Sequence, residues 1–262
     1  MAWMQVDFYS GVLGLTCTMN VIVPQKPADG NGDPSDIAWP VLYLLHGGSD
    51  NHANWLLHTS VVRYALRRNL AVVMPATQYS FYSDQKYGYD WFRFIADELP
   101  AIVRQLFRVS GRREDTFAAG LSMGGYGAFK LGIVHPDRYA AVASLSGSLD
   151  QRDRLTDRPA ISNAVMLRMA RHTFGSVGEY ERSVNDLAWM LERRLAEGAA
   201  LPRFYQACGT LDHNYEINAA FSRRFGGRID LTVVESPGRG HDWAYWDEQI
   251  ERVIDWLPLR EP

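Results

Sequence analysis

The stretch from Thr116 to Gly127 reads TFAAGLSMGGYG, a short apolar run leading into G-L-S-M-G and then into a small-residue helix. A serine hydroxyl is a weak nucleophile, so a protein that uses one must expose Oγ and supply a base. A tight strand-to-helix turn does the first, because its strained backbone pushes the side chain outward. Gly120 and Gly124 flank Ser122 where a Cβ would clash in such a turn. The turn also aims the N–H groups of the following helix at any oxyanion formed on a bound acyl carbon. Ser122 is therefore read as the nucleophile of an acyl-transfer site. The bare pattern arises by chance in glycine-rich loops; the strand before it, the helix after it and a matching motif upstream decide the reading.

That upstream motif is LYLLHGG, Leu42 to Gly48, an apolar strand ending in His-Gly-Gly. A strand end of this type supplies one backbone N–H to the oxyanion. Gly48 is the expected donor, with Met123, the residue after the nucleophile, as the other. Losing one such donor typically removes on the order of 2.7–4 kcal/mol of transition-state stabilisation. The alternative is that Gly47 and Gly48 only turn the chain off a strand. His46 is read as a structural histidine.

Seven histidines compete for the general base. Where the nucleophile sits on such a turn, its partners follow in chain order Ser, then Asp or Glu, then His. His241 fits, in the glycine-containing loop SPGRGHDW between the last strand and the last amphipathic helix. His135, in VHPD, looks like a helix end. The acid must hold the imidazole tautomer and stabilise the imidazolium, and Asp212, ending RFYQACGTLD, is placed for that. An Asp before a helix is also a common cap, so Asp212 has a second reading as the cap of the helix starting near Tyr215. Asp186 and Glu235 are weaker candidates for the acid, and Asp242 reads as a cap.

These residues need a scaffold. Strand-like runs fall at Gln5–Tyr9, Thr16–Val23, Val41–Leu45, Ala71–Met74, Thr116–Ala119, Ala141–Leu145, Arg203–Ala207 and Asp230–Val234. Helical periodicity appears over Trp55–Arg68, Tyr89–Phe107, Met123–Val134, Val184–Glu197, Tyr215–Phe225 and Trp243–Trp256. From Val41 onward strands and helices alternate, which predicts a mostly parallel sheet covered on both faces, with the first two strands pairing as an antiparallel edge. The class is α/β. Asp29 to Pro34 reads as an exposed turn and Gln151 to Pro159 as a charged loop; neither resembles an interdomain linker, so one domain over 1–262 is expected.

With 262 residues, 47% of them hydrophobic, the chain can bury a large core. A net charge of −3 with scattered charges builds no positive field for a phosphate backbone, so nucleic acid is not an expected partner. Cys17 and Cys208 lack metal-ligand spacing and read as buried thiols. The N-terminus lacks a positive n-region followed by an apolar h-region, and no window reaches about 18 apolar residues; the expectation is a cytoplasmic protein without membrane partners. HExxH and a phosphate loop are absent, so no metal or organic cofactor is expected. The aromatic stretch around Tyr79 and Phe81 follows the fourth strand and is a candidate substrate lining, with core packing as the alternative. From Leu149 to Ser183 there is no long apolar insertion of the kind an interfacial lid requires, which favours small, short-acyl esters.

With these pieces placed, the sequence resembles the esterase D and tributyrin esterase group of α/β hydrolases, to which S-formylglutathione hydrolases, feruloyl esterases and mycolyltransferases are related. The resemblance is carried by LYLLHGG with Asn54-Trp55, MPATQYSFYSDQKYG, GLSMGGYGAFKL with HPDRYAAVASLSG, CGTLD and GHDWAYWDEQI. It implies the α/β-hydrolase fold, a Ser122–His241–Asp212 triad, Gly48 and Met123 as oxyanion donors, and a small-molecule ester as substrate. Gly47 to Trp55 reads GGSDNHANW, without the cysteine usual in S-formylglutathione hydrolases, which points to the tributyrin esterase branch. Families of this type often form homo-oligomers; the sequence marks no interface.

Overall fold

A computed structural model of the chain describes residues 1–25, 38–156 and 163–259. Its frame is an eight-stranded sheet in the order β1-β2-β4-β3-β5-β6-β7-β8. The strands are β1 (Ala2–Ser10), β2 (Leu15–Val23), β3 (Val41–Leu45), β4 (Ala71–Pro75), β5 (Thr116–Leu121), β6 (Ala141–Leu145), β7 (Arg203–Gly209) and β8 (Leu231–Ser236). β2 is antiparallel to both β1 and β4, and the pairings from β4 through β8 are parallel. This is the mostly parallel α/β sheet with an antiparallel edge that the alternation predicts.

Burial follows sheet position. β3 (VLYLL), β4 (AVVMP) and β6 (AVASL) are buried along their whole length, as parallel strands covered on both faces must be. β1, at the edge, alternates between partly buried and exposed residues. Because side chains alternate across a strand, Val41, Tyr43 and Leu45 enter one core and Leu42 and Leu44 the other.

The helices are α1 (Asn54–His58), α2 (Val61–Arg67), α3 (Trp91–Arg93), α4 (Leu99–Leu106), α5 (Met123–Val134), α6 (Arg152–Leu155), α7 (Ala164–Phe174), α8 (Val177–Tyr180), α9 (Leu187–Ala196), α10 (Tyr215–Phe225) and α11 (Trp243–Trp256). α5 and α9 contribute to the first core; α1, α2 and α11 contribute to the second. Among the described residues, no helix is long and apolar enough to cross a membrane.

Three expectations need correction. The helix predicted over Trp55–Arg68 is two helices, because Thr59 is extended and returns its hydroxyl to Trp55 O, while Asp247 of α11 accepts the Ser60 N–H at 2.8 Å. The helix predicted from Tyr89 begins at Trp91, where Asp84 accepts the Phe92 and Arg93 N–H groups, and it widens into a π turn over Phe94–Glu98. That turn presents the Glu98 carboxylate to Ser10 Oγ and to the Gly11 and Val12 N–H groups of the first hairpin. The charged segment after β6 contains the short helix α6; its end, and the turn predicted at Asp29 to Pro34, lie outside the described residues.

Candidate active site

Ser122 sits between the end of β5 and the start of α5, with φ 52° and ψ −113°. Such a backbone costs a non-glycine residue on the order of 1–3 kcal/mol. The Ser122 N–H donates to Leu145 O at 2.8 Å, and Ser122 O accepts from Ser148 N at 3.0 Å and Tyr126 N at 3.2 Å. Those three bonds tie the strained residue to β6, to the loop after it and to its own helix. The flanking glycines are compulsory: a Cβ on Gly120 would lie 2.4 Å from the Gly124 carbonyl, and one on Gly124 2.3 Å from Leu45 O. The elbow therefore packs directly on the end of β3.

That strand end carries the other predicted donor. Trp55 Nε1 donates to Leu45 O at 3.1 Å, and Tyr82 hydroxyl donates to His46 O at 3.0 Å. His46 is wholly buried; Nε2 accepts the Thr77 N–H at 3.0 Å while Nδ1 lies 2.7 Å from Gly47 O, so the tautomer is fixed with Nδ1 protonated. Burial lowers its pKa to about 4. His46 is thus the structural histidine expected, anchoring the turn that leads to Gly48. A Cβ on Gly48 would lie 2.9 Å from the Tyr79 ring and its hydroxyl.

The predicted base and acid meet. His241 Nδ1 lies 2.9 Å from Asp212 Oδ2 and 3.0 Å from Oδ1. The Asp212 side chain is fully buried, that of His241 21% exposed. Asp212 Oδ1 also accepts the Asn214 N–H at 2.8 Å. Trp246 Nε1 donates to Ser146 Oγ at 3.0 Å, which leaves the Ser146 proton free for the carboxylate, and the Trp246 ring packs edge-on against the His241 imidazole at 4.8 Å. Burial pushes the Asp212 carboxyl up, yet His241, Ser146 and the Asn214 N–H outweigh it and hold its pKa below the ordinary carboxylate value. A buried carboxylate kept ionised against one imidazole nitrogen is the arrangement that fixes a base.

Among the described residues Ser122 Oγ makes no hydrogen bond to His241; this contact commonly tightens only with substrate bound. The other candidates sort themselves. Asp186 caps α9 by accepting the Trp189 N–H, Asp242 caps α11 by accepting Tyr245 N–H, and Glu235 accepts the Tyr215 hydroxyl on an exposed edge. Phe81, a predicted substrate contact, is corrected to core: its ring is buried against Phe174 at 5.3 Å. Tyr79 is half-buried over Gly48, between Asp50 and Arg154 electrostatically. Both cysteines are buried and free, as expected, and burial pushes the Cys17 thiol up to about 11.

Four residues around this site went unassigned from sequence. Ser146, Asn214 and Trp246 hold the acid and base; Asp50 accepts the Gly47 N–H at 3.2 Å and the Asn54 amide at 3.0 Å, bracing the Gly48 loop. Burial pushes the Asp50 carboxyl up, with Gly47, His58 and His241 pulling the other way.

Comparison with known proteins places the chain in a family. The family model described as "Putative esterase" matches residues 10–256. An acetyl esterase of Caldicellulosiruptor saccharolyticus is 31% identical over 262 residues, covering 98% of each chain. The fluorophosphonate-binding serine hydrolase F of Staphylococcus aureus superposes with a TM-score of 0.88 at 29% identity over 98% of both chains. An S-formylglutathione hydrolase from the same organism gives 0.85 at 29% identity, again over 98% of each. The chain belongs to the putative esterase family, has the α/β-hydrolase fold, and is a carboxylic ester hydrolase.

Proposed function

We propose that the protein hydrolyses small, short-chain acyl esters through an acyl-enzyme on Ser122, with His241 as base, Asp212 as its partner, and Gly48 and Met123 as oxyanion donors. The observation that carries the reading is the buried, ionised Asp212 bonded to His241 Nδ1, on the same end of the sheet as a serine in strained elbow geometry. His241 Nε2 takes the Ser122 proton as Oγ attacks the ester carbonyl, and Asp212 stabilises the imidazolium. The tetrahedral oxyanion accepts from the two backbone N–H groups. Collapse expels the alcohol with the proton from His241, and water repeats the sequence to free the acid.

A relative named acetyl esterase supports a preference for short acyl groups. Acetylated or feruloylated carbohydrate esters are the second reading, and the relative named acetyl esterase bears only on its acetyl part. A thioester of glutathione is less favoured because Gly47 to Trp55 (GGSDNHANW) lacks the cysteine usual in S-formylglutathione hydrolases. The test is hydrolysis of p-nitrophenyl acetate, butyrate and octanoate by wild type and Ser122→Ala, with mass spectrometry after a fluorophosphonate probe. Rates that fall with chain length and vanish in the variant, with the adduct on Ser122, are expected. Absence of turnover and adduct would overturn the assignment.

A further inference from the structure

His213 follows Asp212 directly and has no role in the proposed cycle. Its Nδ1 points at Asp212 Oδ1 across 3.9 Å, and its ring centre is 4.2 Å from that of His241. Its side chain is 45% exposed, and it makes no hydrogen bond among the described residues. Burial, and then the neighbouring His241, hold its pKa below the ordinary value; a neutral imidazole at this distance is neither an ion pair nor a hydrogen-bond partner. What remains is a ring nitrogen facing a carboxylate oxygen and a second imidazole.

One ligand atom from each of Asp212, His213 and His241 lies within 4.8 Å of the others. A tetrahedral ion with bonds of about 2.1 Å sets its ligand atoms roughly 3.4 Å apart. The Asp212–His241 pair is already closer than that, at 2.9 Å, and the His213–Asp212 pair is 3.9 Å apart. The remaining closure is on the order of 1 Å, within reach of an exposed, unbonded imidazole turning about its χ angles.

We infer that Asp212, His213 and His241 form a binding site for a divalent transition ion of the zinc type, and that occupancy reversibly inhibits the esterase. Two imidazoles and one carboxylate suit Zn²⁺, Co²⁺ or Cu²⁺, whereas Mg²⁺ prefers oxygen ligands and retained water. Binding displaces the Nδ1 proton of His241 to solvent and puts the ion where the Asp212 hydrogen bond was; solvent supplies the fourth ligand. The base then has neither its carboxylate partner nor its working orientation. The inhibition rests on the proposed roles of Asp212 and His241, while the metal site rests on geometry alone.

The test titrates ZnCl₂, with MgCl₂ as control and EDTA for reversal, into wild type and His213→Ala hydrolysing p-nitrophenyl acetate. In parallel, Co²⁺ is added to Ser122→Ala and to the Ser122→Ala, His213→Ala double variant, and its visible absorption is recorded. Inhibition of wild type by zinc but not magnesium is expected, reversed by chelator. In His213→Ala the basal rate should hold and the midpoint rise by roughly tenfold or more, since even loss of support to a ligand typically costs that much. The tetrahedral Co²⁺ band should appear in Ser122→Ala and fade in the double variant. Equal zinc sensitivity in wild type and His213→Ala, or a Co²⁺ band indifferent to His213, would overturn the site. If wild type shows no hydrolysis at all, the proposed function fails, and the Co²⁺ spectra still decide the site.

Discussion

Asp212→Asn separates the two jobs that an aspartate at this position can have. Oδ1 accepts the Asn214 N–H at 2.8 Å and faces His241 Nδ1 at 3.0 Å, while Oδ2 faces Nδ1 at 2.9 Å. The Asn214 N–H needs an oxygen, so the amide of the variant keeps its oxygen there and places NH₂ where Oδ2 was. A donor against Nδ1 favours the tautomer with the proton on Nε2, which is unable to take a proton from Ser122. The same exchange in a serine triad costs about 10⁴ in kcat, equivalent to about 5 kcal/mol of transition-state stabilisation. As a local cap, asparagine serves nearly as well as aspartate, so the thermal midpoint should barely move. The assay is kcat for p-nitrophenyl acetate beside a calorimetric scan. A stable variant within about tenfold of the wild-type kcat would refute the catalytic role and leave Asp212 as a turn residue before α10.

Three further outcomes follow from the geometry. Gly48→Ala puts a Cβ 2.9 Å from the Tyr79 ring, so the loop shifts its N–H, and kcat should fall about a hundredfold, close to one lost oxyanion donor; full kcat would exclude Gly48 as that donor. His46, with a folded pKa of about 4 against an ordinary 6.5, binds fewer protons folded than unfolded between those values. It therefore contributes stability above pH 6.5 that is lost as pH falls through 4, about 3 kcal/mol in all; melting scans across that range should be steeper for wild type than for His46→Gln, and equal slopes would remove the effect. Asp247→Ala strips the acceptor from Ser60 N–H and the Tyr64 hydroxyl, and should cost roughly 1–3 kcal/mol in denaturant unfolding with kcat unchanged.

The strands were legible because burial imposes composition. An interior parallel strand is largely apolar, so VLYLL and AVASL stand out, and β8 at the far edge shows the alternation of a half-covered strand. Six helical segments were legible for the same reason, but α7 (Ala164–Phe174) and the short α8 were not read from the sequence, and neither was helix continuity. Trp55–Arg68 keeps one apolar period through Thr59 and Ser60, and only the carboxylate of Asp247, nearly two hundred residues later, makes the break favourable. The π turn before α4 is likewise set by Glu98 reaching the hairpin loop after β1. Partners distant in sequence decide both, and a local period carries no trace of them.

The site divides along the same physical line. Gly120 and Gly124 are visible because no other residue type fits against the Gly124 carbonyl or Leu45 O; where backbone approaches backbone, sequence has no choice. Ser146, Asn214 and Trp246 perform work that many residue types do elsewhere, so their types announce nothing. The one local signal was the S-G-S run after β6, since Ser146 has a positive φ of 52°, and a strained serine at a strand end matters only once Asp212 is known to face it. Phe81 misled for the converse reason: an aromatic beside a strained loop has the same sequence signature whether its ring lines a pocket or fills the core, and here Phe174 across the fold claims it. A residue's role is legible from sequence to the extent that backbone sterics, rather than a distant side chain, impose it.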